Sequence, residues 1–592
     1  MSLDSMFGGN ARYAIPVYQR SYSWERDHVN RFLEDLEFVH ANPEIDHFFG
    51  FMLTAGGEED GPQRFIDGQQ RMTTAVLFVI CARNFFHQRS GSSPLAARHE
   101  KALESYLRRE GFRGNAGHTL TLSRPNRELF RALVNSPDIG MEDLQAHRDE
   151  NSPNRLLADA FVAITRKVSV IANPDKFDRL RSMVRTLLGR FRVYKRNYTD
   201  RSLARRIFML VNHRGRPLAS SDLVKSLLFD ELEGRQGRTN VDAYDDKWTR
   251  VVNNVTSAKS NYKMGHFLHH YLIVSGGYRR LNIKPNNKRM YAAVEMLVGR
   301  ESVPPEKIID DIHEWSGTLD IVRNPEHAGR FAKAGNTAHY LARLKSLGVT
   351  PAYPVILAGY EKYWNADRTR LFEALLMMCY KYHIRMQLVS SLTASTYSRV
   401  LSDIADDIVR GKGLPEIITD LKNSPRRYAN SRITRNILVD RPIRPRAPAL
   451  ALLEEAEYQG TLTPRPVEEP TIEHIMPKKL EKEWHSHVIE HNGINPADPA
   501  RSDDEVENFH RRHVDLLGNQ TLLLREENGP LSNKPYDRKR QVYGNSKFGI
   551  TRRVAKDAAW NGNAIKERQK RLASKITASL NLDVVLEHLD AQ

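Results

Sequence analysis

Prolines divide this chain more sharply than any other feature. In the run Arg441-Pro442-Ile443-Arg444-Pro445-Arg446-Ala447-Pro448 each proline fixes φ and removes a backbone donor, so a helix can start there but not run through. The segment is predicted to be a stiff, basic linker. With 592 residues the chain is also too long for one hydrophobic core. Three regions are therefore expected: a mixed strand–helix domain over 1–235, a helical spacer over 236–450 ending in the linker, and a last domain over 451–592. Only two cysteines are present, Cys81 and Cys379, which excludes a disulfide framework and a cysteine-rich zinc ribbon. No apolar run reaches the roughly 18–20 residues needed to span a bilayer, and the first residues lack the basic and apolar parts of a secretion signal. The expectation is a cytoplasmic protein with no membrane partner.

The formal charge is +17, and it is concentrated. Residues 422–446 carry +7 and residues 534–575 carry +10, which leaves the rest of the chain balanced. Positive charge gathered around one domain is the footprint expected of a phosphate-backbone partner, although a solvated basic surface has the same composition.

Hydrophobic spacing places the elements. Arg64-Phe65-Ile66 reads as a strand broken by Asp67-Gly68. Met72, Ala75, Val76, Val79 and Ile80 then fall at i, i+3, i+4, i+7 and i+8, one face of a helix. A further helix is predicted from Ser220-Ser221-Asp222, where a side chain can cap free amides. Met264 to Val274, Ala328 to Leu347 and Arg370 to Leu388 are also predicted as helices. The fold class is α+β multidomain.

In the last region Thr471-Ile472-Glu473-His474-Ile475-Met476-Pro477 is a short strand carrying two polar residues. A histidine at a strand end can take a proton from water, and an adjacent carboxylate can hold a divalent cation against a phosphate. Downstream, Leu516-Leu517-Gly518-Asn519-Gln520-Thr521-Leu522 reads as a turn and strand, Asn528 and Asn533 supply oxygens, and Ser532 is placed to cap a helix near Lys534. Together with Tyr536, Lys539 and Trp560, these residues resemble the C-terminal HNH domain of GmrSD-type modification-dependent restriction endonucleases, over about residues 465–578. The resemblance implies a ββα-metal fold embedded in helices. It makes His474 the general base, Asn519 its orienting residue, and Glu473 the metal ligand with Asn528 or Asn533, the metal being Mg2+ or Mn2+. The gap between His474 and Asn519 is long and holds His485, His487, His491, His510 and His513, any of which can compete as a ligand.

The first region joins Ile15-Pro16-Val17-Tyr18-Gln19-Arg20-Ser21-Tyr22-Ser23-Trp24 with Asp67-Gly68-Gln69-Gln70-Arg71. Gly68 allows a tight turn, and the free amides of the helix after it favour an anion. Arg20 and Arg71 can fork onto phosphate, Asp67 can hold a magnesium ion or orient a water, and Gln69 and Gln70 are neutral orienters. An ordinary capped turn has the same residues, and among Tyr13, Tyr18, Tyr22 and Trp24 at least two are expected to be core rather than base-stacking. These runs, with Phe208 to Asn212 and Gly215 to Lys225, are similar to the N-terminal domain of the same family over about residues 10–235. That similarity implies a ParB/sulfiredoxin-like α/β fold that binds and hydrolyses GTP or ATP at the Asp67–Arg71 loop. No Gly-Lys-Ser/Thr phosphate loop is present. The resemblance thus implies a nucleotide-hydrolysing endonuclease that nicks or cleaves modified phage or foreign DNA in bacterial antiviral defence. A nucleotide-responsive DNA-binding regulator with an inactive HNH fold is the alternative, and homo-oligomer formation is left open.

Overall fold

The structure is a computed structural model. It describes the chain apart from residues 9–10, 18, 20, 57–60, 110–116, 141, 151, 173–176, 201–202, 204–206, 208–218, 236–237, 257–261, 325–328, 332–333, 390–391, 443–445, 459–469 and 591–592. Arg20, Tyr18, the Phe208–Asn212 and Gly215–Leu218 runs and the middle of the basic linker therefore lie outside the described residues. The described chain forms two compact units, Met1–Asp245 and Asp246–Gln592.

The first unit is built on a five-stranded sheet. Its strands are β1 (Tyr13–Ala14), β2 (His47–Ala55), β3 (Gln63–Asp67), β4 (Leu120–Thr121) and β5 (Phe191–Tyr198), in the order β4-β1-β3-β2-β5. β2 runs antiparallel to β3 and parallel to β5, while β1 runs parallel to both β3 and β4. Helices α1 (Arg26–Ala41), α2 (Gln69–Ser90), α3 (Arg155–Ile171) and α4 (Phe177–Arg190) share one apolar core with the sheet. The predicted strand, break and helix are seen as β3, Gly68 and α2. α2 is buried all round from Met72 to Phe86 rather than along one stripe, as a central core helix must be. Tyr13 and Tyr22 are core residues, and the Tyr22 hydroxyl bonds the Thr74 hydroxyl at 2.7 Å. The helix predicted at Ser220 is α5 (Ser220–Arg235).

Among the described residues, the regular structure of the second unit is helical except for one ribbon. A largely buried helix, α6 (Thr369–His383), continues as a wider turn over Ile384–Val389. The expected helix at Ala328–Leu347 is described only over Thr337–Ser346, and Gly335, at φ +54°, lies just before it. On either side of the proline segment lie α7 (Ser431–Asp440) and α8 (Arg446–Tyr458). Pro448 sits in the first turn of α8, where a missing N–H costs nothing. The ribbon pairs β6 (Thr471–His474) with β7 (Gln520–Leu523) antiparallel, setting Glu473 opposite Thr521 and His474 opposite Gln520. Between them run α9 (Lys482–Asn492) and α10 (Pro499–His513), and after them α11 (Tyr536–Gly544) and α12 (Gly562–Ser579). α7 and α8 both pack on α12. Ser532 does not cap α11: Pro535 precedes that helix, and Ser532 adopts φ +37° in the turn before it. Among the described residues no helix is long and apolar enough to cross a membrane, and both cysteines are buried and free.

Candidate active site

The ribbon brings Glu473 and His474 to one end of a short two-stranded platform, and each meets a different environment. Glu473 is buried, and its Oε1 accepts from Lys539 Nζ at 2.6 Å and from the Tyr543 hydroxyl at 2.8 Å. Both donors lie on α11, one turn apart, so a single helical face grips the carboxylate. Lys539 is itself fully buried and also donates to the His474 carbonyl at 2.9 Å. Burial pushes the Glu473 carboxyl up and pulls the Lys539 ammonium down, and the attraction between them opposes both shifts.

The His474 ring is held differently. Burial, then the charge of Lys478, pulls its pKa down to about 4, with Asp515 opposing. Its Nε2 is buried and has no hydrogen-bond partner. An unmatched polar atom in such a place costs free energy, which a bound water, an ion or a catalytic role can offset.

Asn519 is fully buried and uses its whole side chain. Its Oδ1 accepts from Met476 N and Trp560 Nε1, both at 2.9 Å, and its Nδ2 donates to Met476 O at 2.9 Å and Val514 O at 3.0 Å. Asn519 therefore fixes the chain two residues beyond His474 rather than the ring itself. Gly518 is needed beside it, because a Cβ there would run into the Ile565 carbonyl and lie 3.1 Å from Gln569.

The metal ligands expected from the sequence are engaged separately. Asn528 Nδ2 donates to Thr471 Oγ1 at 2.8 Å and Ile472 O at 3.1 Å, holding the start of β6. Asn533 donates to Glu481 at 3.3 Å, and Glu473 is taken by Lys539 and Tyr543. Among the described residues no group of three His, Cys, Asp or Glu is arranged to hold a metal ion. These residues do not fit a ready cation cage. Four of the five histidines of the insertion are also occupied: His485 pairs with Asp503, His510 donates to Pro477 O, His513 to Phe509 O, and His487 meets the Trp560 backbone, while His491 packs on the His487 ring.

Three supporting residues escaped the sequence reading. Tyr543 completes the grip on Glu473. Arg568 on α12 is buried, with its pKa pulled down to about 10 by that burial, and it donates to Gln520 O, Thr521 Oγ1 and Ile550 O, clamping β7. Gln569 bonds the Gly518 amide. A buried cation in a basic stretch has no sequence mark that separates it from surface charge. Lys539 and Arg568 thus leave the +10 segment's surface, while Lys422 and Arg427 of the +7 segment pair with Asp583 and Asp403.

The loop of the first unit has its own unmatched atoms. Gly68 closes it at φ +97°, and a Cβ there would lie 2.8 Å from the Phe51 carbonyl. Arg71 donates to Phe51 O at 2.9 Å and reaches Asp67 at 3.3 Å. Gln70 is tied to the Ser23 amide and the Ser21 carbonyl. Gln19 donates to Phe65 O and Ile66 O. Gln19 Oε1, Gln69 Oε1 and Arg71 Nε are all buried without partners.

Two comparisons can now be set beside this geometry. Residues 3–229 match the family described as GmrSD restriction endonuclease, N-terminal domain, and residues 415–575 match GmrSD restriction endonucleases, C-terminal domain. The chain belongs to the GmrSD restriction endonuclease family. A restriction endonuclease acts on DNA, so the chain is a hydrolase of the nuclease kind. The C-terminal match starts at residue 415, upstream of the proline segment, and so takes in α7 and α8, the helices that pack on α12. No curated protein matches the chain.

Proposed function

We propose that this GmrSD-family chain is a DNA endonuclease of HNH type, gated by a nucleotide bound at the Asp67–Arg71 loop and directed to modified DNA. The unpartnered Nε2 of His474 carries the reading. Burial keeps the ring neutral at physiological pH, the form that can accept the proton of a water attacking a phosphodiester, while the same lowering of its pKa weakens it as a base. Lys539 and Asn519 hold the backbone at His474 and just after it, which limits the ring's movement during that transfer. No step is routed through a metal, because Lys539 and Tyr543 already hold Glu473 Oε1. Support for the gate comes from the buried unpartnered atoms of Gln19, Gln69 and Arg71 around a loop whose helix amides favour phosphate. Coupling of the two activities in bacterial antiviral defence is part of the proposal. One observation favours a second reading, a nucleotide-responsive regulator that binds DNA without cutting: the Glu473 carboxylate is already neutralised by Lys539.

The test is cleavage of matched modified and unmodified plasmids, with Mg2+ or Mn2+, and with GTP, ATP or neither. Nicking that depends on the modification and changes with nucleotide is the expected result. Absence of cutting with every metal and nucleotide would leave the regulator.

A further inference from the structure

The outer face of β2 and β5 carries a patch that neither the nuclease nor the loop uses. Period-two alternation would put Phe48 and Phe51 on opposite faces of β2. A bulge prevents this: Gly50 adopts φ +109° and the register with β5 shifts between Phe48 and Gly50. Phe49, Met52, Phe191 and Val193 then enter the core, while Phe48, Phe51 and Tyr194 are 60%, 49% and 49% exposed. The three rings are contiguous, with Phe51 5.6 Å from both Phe48 and Tyr194. Among the described residues, cover of this face lies beside them, where Leu53 and Ile66 are packed under Tyr198, Ile207 and Leu223.

The patch is not purely apolar. Along β5, Arg192 and Arg196 alternate with Tyr194; Arg192 pairs with Asp46 at 2.7 Å, and Arg196 lies over the Tyr198 ring. The Arg71 guanidinium lies against Gly50 and bonds Phe51 O, joining the patch to the Asp67–Arg71 loop. An interface between copies of a protein is depleted of charge at its centre. Exposed rings alternating with arginines on a sheet face instead match a ligand with flat bases on a charged backbone.

We propose that this face is a docking surface for single-stranded DNA, with Phe48, Phe51 and Tyr194 stacking on bases and Arg192 and Arg196 meeting phosphates. The proposal rests on the reading of the chain as an endonuclease directed to modified DNA. In a family that acts on DNA, such a surface would hold bases freed from the duplex next to the gating loop.

The experiment uses the full chain in EDTA with a fluorescein-labelled oligothymidylate of about 20 nucleotides, a duplex of the same length, and ATP as a competitor. Each is read by anisotropy, with a 5-iodouracil oligonucleotide cross-linked for peptide mapping. Phe48→Ala/Tyr194→Ala, both exposed positions, should leave the melting temperature unchanged and weaken the single strand at least about tenfold. Cross-links should fall on peptides holding Phe48, Phe51 or Tyr194, and ATP should not displace the strand. Unchanged affinity in the double variant, or cross-links confined to the second unit, would overturn the proposal. So would a double variant that alters only the sedimentation of the free protein, which would make the face a contact between copies. Plasmid cutting by the wild type, measured alongside, separates failure of this surface from failure of the nuclease reading.

Discussion

Replacing Lys539 by Met tests whether the buried ion pair organises the active site. The change keeps the apolar stem and removes the ammonium that bonds Glu473 Oε1 and the His474 carbonyl. The Lys539 and Glu473 side chains are 0% and 6% exposed, so water cannot replace the lost partner. Breaking a buried pair from one side costs about 3–5 kcal/mol. Protonation of Glu473, which burial already encourages, can recover part of this at about 1.4 kcal/mol per pKa unit. A net loss of about 3 kcal/mol corresponds to roughly 150-fold in an opening equilibrium. Native-state hydrogen exchange at the paired amides of β6 and β7 reads this directly. Exchange should accelerate by about that factor in Lys539→Met and return most of the way in Lys539→Met/Glu473→Gln, which leaves no charge unpaired. Exchange within about threefold of wild type in the single variant, or no recovery in the double, would refute the reasoning.

Gly68→Ala places a side chain at φ +97° against the Phe51 carbonyl, and should lower the stability of the first unit by about 2 kcal/mol or more, seen as earlier melting of that unit; an unchanged melt would show that the loop relaxes freely. His269 and His383 are pulled down to about 4 by burial, whereas an unfolded histidine titrates near 6.5. Their contribution to stability is therefore complete above about pH 6.5 and is lost as pH falls toward 4, with each costing about 2 kcal/mol by pH 5. Urea midpoints for the second unit should drop accordingly and drop less in His383→Gln, while a pH-independent midpoint would contradict the burial of these rings. Asn519→Ala removes four hydrogen bonds, to Met476 N and O, Val514 O and Trp560 Nε1, and should reduce cutting by tenfold or more with DNA affinity retained; full activity would show that the strand holds His474 without them.

What the sequence showed well is what depends on local rules. The Asp67-Gly68 break and the apolar spacing after it specify a strand, a left-handed glycine and a helix, and β3, Gly68 and α2 follow. Gly518-Asn519 and the strand after it were legible for the same reason. Partners distant in sequence were not. Glu473 and Lys539 are 66 residues apart, and nothing in either neighbourhood distinguishes a buried lysine from the exposed cations around it. In the sequence a carboxylate beside a histidine suggests a metal ligand, and the Lys539 ammonium at Glu473 Oε1 has no local mark there. The bulge at Gly50 was also hidden, since Phe48 and Phe51 share a face only after the register shift with β5.

The central claim is that His474 is the base of a nuclease whose nucleotide chemistry lies elsewhere. It is tested most directly by His474→Ala in the full chain, with plasmid nicking and nucleotide hydrolysis measured on the same preparation. Nicking should fall to background while hydrolysis and the melting temperature stay at wild-type values, because the ring's Nε2 bonds nothing in the protein. Nicking by His474→Ala at the wild-type rate would contradict the assignment.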